Sequence, residues 1–298
     1  IEITKGAKSA AHGQTEGGII NIITKKSANA GELQFTAGSN DRRQYNFNYG
    51  LQNAKLSLNM YANKAEQDAY LRNSDYDNEQ AGFNLSYELN NTDTLRVKYD
   101  HQQLKRGLVV QNVPGSADFD SRYPATPIGD SFANYQGKLP GDGSYTKIFR
   151  NNFNVSWNSN RTNGSDSITY WKNYEKQREH NVIGGQVIFD RYNVTDKSSG
   201  IMYNGSAKLN DKHYLGYGVD YKRLRYGYGW YNVGADKAGA LYPSQKMDLI
   251  GAYVEDSWKM DNRWTTNIGL RYDKMEGDKD ANVVGNNTGS MNEEALSP

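Results

Sequence analysis

Arg223, Arg225, Tyr226, Tyr228, Trp230 and Tyr231 gather cations and aromatic rings within nine positions. Guanidinium groups beside aromatic faces suit an anionic, aromatic ligand, held by stacking and cation–π attraction. Arg106, Arg122, Tyr123 and Arg150 stand at or near the longest polar stretch and are expected to join the same vestibule. The same residues also fit a plainer role, as solvated strand tips with a ring of aromatics. Either way the chemistry is recognition and not bond breaking. The chain has no cysteine nucleophile, no G-x-x-x-x-G-K-[ST] phosphate loop and no G-x-S-x-G elbow. His12, His101, His180 and His213 are scattered without metal-ligand spacing, so no metal site and no cofactor is expected. Asp118, Asp120 and Asp130 lie in a polar stretch where solvated charge is the default reading.

Elements with a two-residue period must carry these groups. Tyr45, Phe47, Tyr49 and Leu51 alternate with polar neighbours, as do Phe83, Leu85, Tyr87 and Leu89, then Leu95, Val97 and Tyr99. Phe153, Val155 and Trp157 repeat the pattern, and so do Ile268, Leu270 and Tyr272. Successive strand side chains point to opposite faces, so each segment has one apolar and one polar face. The mean hydropathy of -0.88 suggests a very soluble chain, yet 23 tyrosines, 5 tryptophans and 8 phenylalanines argue against disorder. A transmembrane barrel reconciles the two, because only alternate residues meet lipid. No apolar run reaches the length of a membrane-spanning helix. A net charge of +1 gives no support for nucleic-acid binding.

The links sort by parity, except that the first hairpin, around Ser39-Asn40-Asp41, is short where the pattern expects a long loop. Short polar turns appear near Gln52-Asn53, Asn90-Asn91-Thr92, Asn163-Gly164, Asn210-Asp211-Lys212 and Asp261-Asn262-Arg263. Longer links alternate with them at 67–77, 108–144, 181–198 and 231–245, followed by an open tail from 278. Short turns at one end and long loops at the other mark outer-membrane barrels. The pattern predicts about eleven strands, near 31–39, 42–51, 54–66, 78–90, 93–107, 146–160, 165–179, 199–210, 212–230, 245–260 and 263–277. The expected fold is all-β: a partial transmembrane antiparallel β-barrel, about 11 of 22 strands, with the chain cut at both ends.

Two motifs carry a family resemblance. The first runs through Lys5-Gly6, Ser9-Ala10, Gly13, Gly17-Gly18 and Ile20-Asn21-Ile22-Ile23-Thr24. It resembles the end of the plug domain of TonB-dependent outer-membrane receptors, just before the first barrel strand. Ala11-His12 departs from the usual residues there. The second, Tyr253-Val254-Glu255-Asp256-Ser257-Trp258 followed by Gly269-Leu270-Arg271-Tyr272-Asp273, resembles paired barrel strands of the same family. The resemblance divides the chain into a plug end, 1–26, and part of a barrel, 27–298. It implies capture of a scarce ligand, a ferric siderophore as the commonest case, with cobalamin and haem as alternatives. It further implies import driven by the TonB complex of the inner membrane, acting on a plug segment. Trp157, Trp258 and Trp264 would then lie at the membrane interface in contact with outer-membrane lipid. His12 fits a surface position better than a haem contact. A passive porin or specific diffusion channel shares the alternation but has no plug ahead of its first strand. Neither reading requires an enzyme.

Overall fold

In the computed structural model, residues 29–126, 140–226, 230–233, 245–279 and 289–297 are described, with the backbone of 2–5 and 18–21. Strands β1 (Glu2–Lys5) and β2 (Gly18–Asn21) pair antiparallel as a sheet of their own. The large sheet follows in sequence order: β3 (Ala30–Ala37), β4 (Arg43–Gln52), β5 (Leu56–Gln67), β6 (Tyr76–Glu88), β7 (Asp93–Gly107) and β8 (Tyr145–Arg161). It continues with β9 (Gly164–Ile183), β10 (Gln186–Lys208), β11 (His213–Tyr226), β13 (Gln245–Lys259), β14 (Thr265–Lys279) and β15 (Gly289–Ser297). A short β12 (Trp230–Asn232) pairs with β10 beyond the end of β11. Every pairing is antiparallel and, apart from the short β12, each strand of the large sheet pairs with its neighbours in the chain, so the sheet is an up-and-down meander.

Two expectations are corrected. Among the described residues the sheet has twelve sequential strands where about eleven were expected, because part of the supposed tail after 278 forms β15 along β14. The supposed loop 181–198 is instead the top of a tall β9–β10 hairpin, closed by Gly184 and Gly185. Both glycines have positive φ (56° and 76°), which gives a two-residue turn whose twist matches the flanking strands. The pattern masked this hairpin because Arg178, Glu179, His180 and Asp190 made its upper part read as a loop.

Four of the five short turns share one device. A side-chain oxygen accepts the backbone N–H groups two and three residues onward, which lets Asn or Asp replace a backbone turn contact. Asn53 does this for Lys55 and Leu56, Asn90 for Thr92 and Asp93, Asn210 for Lys212 and His213, and Asp261 for Arg263 and Trp264. All lie at the same end of the sheet.

Register turns the alternation into continuous surfaces. One row runs Leu51, Leu58, Leu85, Val97, Val155, Tyr170, Ile201, Tyr221 and Ile250, each directly opposite the next. A second, nearer the short turns, runs Tyr87, Leu95, Trp157, Ile168, Tyr203, Val219, Ala252, Tyr272 and Leu296. These rows have no second layer over them: Val219 is 54% exposed and Leu296 65%. A soluble sandwich would bury such a face.

Candidate functional site

The opposite face is built of amides and charges linked across strands. Asn46 donates to Gln34 (3.2 Å), Asn63 to Asn46, and Asn78 to Asn63 (3.4 Å). Gln102 donates to Asn78 (2.8 Å), and Arg150 Nη1 to Gln102 (3.1 Å). Arg150 Nε then donates to Glu175 (2.7 Å), which also accepts from Thr195 (2.7 Å). The chain of bonds crosses β3 to β10. It satisfies polar side chains that would otherwise compete for water, and it leaves Arg150 committed to Glu175.

At the long-loop end this polar face opens into a cleft of about 500 Å³ whose lining includes Arg42, Gln44, Asn63, Tyr76, Asn78 and Arg106, with one carboxylate, Glu66, at its edge. Register explains the grouping, since Gln67, Tyr76 and Arg106 are successive cross-strand neighbours. Among the described residues neither Arg42 nor Arg106 has an acidic partner within 4.0 Å. Two exposed guanidinium forks, a phenol and several amides can bind an anionic, oxygen-rich molecule through bidentate, charge-assisted bonds.

Loops stitched by buried polar groups wall the cleft. Arg72, 9% exposed, lies in the 68–75 link and reaches Asp142 (2.5 Å) and Asp118 (3.5 Å) in the next long link. Asn73 Nδ2 donates to the carbonyls of Leu108 and Ser144, both at 2.7 Å. Asn112, fully buried, donates to the carbonyls of Asp120, Tyr123 and Pro124 and accepts from the Asp120 N–H. Residues 108–126 thus form an ordered cap, with Val109 lining the cleft. Within it Asp120 is clasped by Arg122 (Nη2–Oδ2 2.6 Å). The Arg122 side chain, then its backbone N–H, hold that carboxyl down at about 2.

Of the residues singled out from sequence, Arg106 lines the cleft and Arg122 and Tyr123 sit in the cap, the guanidinium 5.7 Å from the Tyr123 ring. Arg150 lies in the amide chain. Arg223 and Arg225 share the face of Tyr221 and Val219, the apolar side, and both approach Asp248, at 3.6 and 3.1 Å. Tyr226 ends β11 opposite Asp196. The backbones of Trp230 and Tyr231 pair with Asn193 and Tyr192. Tyr228, Gly6, Ser9, His12, Gly13 and Gly17 lie outside the described residues. Lys5, Gly18 and Asn21 fall in the small sheet, where Lys5 opposes Gly18 and Glu2 opposes Asn21. Trp157 and Trp258 lie on the apolar face toward the short turns, with Trp258 stacked on His213 at 5.8 Å, and Trp264 is 68% exposed in a turn. Sequence reading missed Arg42, Tyr76, Arg72 and Asn112. The first two come together only through strand register, and the last two looked like ordinary polar loop residues.

Residues 26–298 match the family model described as TonB dependent receptor-like, beta-barrel. The chain belongs to the TonB-dependent receptors. Its apolar rows are therefore the lipid face of a bacterial outer-membrane barrel, and its amide face is the inner wall. It is 23% identical to the ferrioxamine receptor of Yersinia enterocolitica over 99% of this chain and 45% of the relative. It is 25% identical to the probable TonB-dependent siderophore receptor PirA of Acinetobacter baumannii, over 92% of this chain and 40% of that one. The ferripyoverdine receptor of Pseudomonas aeruginosa, bound to ferripyoverdine, superposes with a TM-score of 0.68 at 15% identity, covering 98% of this chain and 42% of that structure. The chain thus spans less than half the length of these TonB-dependent receptors.

Proposed function

We propose that the protein binds a ferric siderophore at the outer surface and carries it into the periplasm with energy from the inner-membrane TonB complex. The observation that supports this most is the cleft at the long-loop end. Its unpaired Arg42 and Arg106, beside Tyr76 and a run of amides, match the anionic, oxygen-rich shell of such a chelate. The relatives named for ferrioxamine and for siderophores favour the same ligand class. In this reading the long loops face outward, the short turns face the periplasm, and Trp157, Trp258 and Trp264 sit in the inner interfacial girdle. Residues 1–26, including the β1–β2 sheet, are the end of the plug that TonB acts on. The protein performs no catalysis.

The test is radioiron uptake in cells that produce the protein from its whole reading frame. Uptake of a ferric siderophore should saturate at low concentration, stop when an uncoupler collapses the proton gradient, and weaken when Arg42 and Arg106 are both changed to Ala. Uptake that survives the uncoupler would mean a passive channel instead.

A further inference from the structure

The inner wall is mostly amides and charges, but on β11 to β15 it carries an apolar pad toward the long-loop end. Leu224, Met247, Gly277 and Met291 stand directly opposite one another in turn. One row nearer the short turns come Lys222, Leu249, Met275 and Glu293. Alternation puts both rows on the face of Asp220, Gly251 and Arg271, which is the lumen. Three of the chain's six methionines meet here. The lipid rows are built chiefly of Leu, Ile, Val and aromatic residues, so packing alone does not call for thioethers.

Gly277 is the centre of the group. Met247 faces it across one strand pair and Met291 across the other. Met275 precedes it by two residues on the same face and lies diagonal to both, at the roughly 7–8 Å spacing that long side chains bridge. Because glycine has no side chain, the three thioethers can meet above it. Met291 leans there: its Cε is 3.5 Å and its Cβ 3.8 Å from where a Cβ on Gly277 would stand. All three methionines are half-buried. Leu224 and Leu249 border the group, and Lys222 beside them is held by Asp220 at 3.1 Å. Glu293, opposite Met275, supplies one negative charge at the edge. With strands tilted about 40°, each residue climbs roughly 2.5 Å along the membrane normal. Gly277 stands twelve residues beyond Thr265, thus about 30 Å up, above an apolar band about 25 Å tall. The group therefore opens at the mouth of the lumen, within reach of ions in solution.

Thioether sulfurs are soft donors, which select Cu(I) and similar ions over hard cations. Among the described residues no group of histidines, cysteines and carboxylates is placed to hold a metal, so a sulfur site has no competitor of that kind. We propose that Met247, Met275 and Met291 form a three-sulfur site for a soft monovalent cation, Cu(I) or Ag(I). Binding exchanges water on the ion for sulfur lone pairs; no bond breaks, no electron moves and no proton is released. The site lies on other strands than the cleft and needs no siderophore, so it stands whichever ligand is transported.

The test is calorimetric titration of the protein made from its whole reading frame, purified in detergent and freed of metal. The probe is silver nitrate in chloride-free buffer, which keeps one oxidation state throughout. The protein should take up a silver ion that Zn(II) does not displace. Changing Met247, Met275 and Met291 together to Leu keeps their volume and the pad's packing. That variant should bind silver about a hundredfold more weakly or worse, since losing even an outer partner of a metal ligand commonly costs roughly ten- to a hundredfold. Met60→Leu, on the lipid face, should change nothing. X-ray absorption at the silver edge of the unaltered protein should show sulfur neighbours, and that measurement needs no variant to fold. Absence of silver uptake would mean that the methionines only pack, and would overturn the proposal. So would a shell of nitrogen and oxygen alone, or unchanged binding in the triple Leu variant.

Discussion

Asn112 shows how one side chain orders an outer loop. Its amide makes four bonds to the backbone of the cap from a fully buried position. Removing it leaves buried carbonyls and an N–H unpaired, at about 1–3 kcal/mol for each group that water does not reach. Asn112→Ala should therefore expose 108–126 to protease at concentrations that leave the native cap uncut, with barrel folding unchanged; an equally resistant loop would refute this role. Asp120 adds a pH dependence. Its folded value of about 2 lies below the ordinary 3.8, so its tie to Arg122 is complete above about pH 4 and is lost as pH falls toward 2. A carbon-13 titration of the Asp120 carboxyl should show a midpoint near 2 that returns toward 3.8 in Arg122→Ala. A native midpoint at 3.8 would contradict the contact. Gly251 has a different task on the inner wall. A Cβ there would overlap the guanidinium of Arg271, which is paired with Asp220 (2.8 Å) and Asp273 (2.7 Å) and only 6% exposed. Gly251→Ala should lower barrel stability by about 3 kcal/mol or more, because dislodging a buried charge from its partners carries that cost. Unfolding in urea from detergent micelles would measure it.

At the level of strands, the alternation fixed most of what the structure contains. Tyr45 to Leu51, Phe83 to Leu89 and Phe153 to Trp157 each announced a strand and its two faces. The Asn and Asp turns announced their connections. What stayed hidden has physical causes. The top of the β9–β10 hairpin carries Arg178, Glu179, His180 and Asp190 where an apolar row would mark a strand, so it read as loop. Gly289–Ser297 has the same difficulty, since Glu293, Glu294 and Asn292 blur its period. The cleft was legible only through Arg106, because pairing of β5, β6 and β7, not sequence proximity, brings Tyr76 beside it. The rows of apolar residues make a prediction of their own. Val155 lies about 15 Å above the short turn, near the bilayer midplane, and Val155→Arg should destabilise the barrel by about 2–4 kcal/mol. Asn154→Arg, on the inner wall, should cost far less. Equal costs would argue against a lipid face.

For the molecule as a whole, the sheet divides three environments: lipid along its apolar rows, an amide-lined lumen, and long loops pinned by Arg72 and Asn112. Among the described residues β3 and β15 each pair on one side only, so the wall described is an arc. Cleft and cap both depend on that arc having its amide side inward. Spin labels placed in turn along β8, in the protein made from its whole reading frame and reconstituted in bilayers, test this most directly. Labels at Phe153, Val155 and Trp157 should be relaxed by oxygen dissolved in lipid, and those at Asn152, Asn154 and Ser156 by a water-soluble nickel chelate. Accessibility without a two-residue period, or with the two sets exchanged, would contradict it.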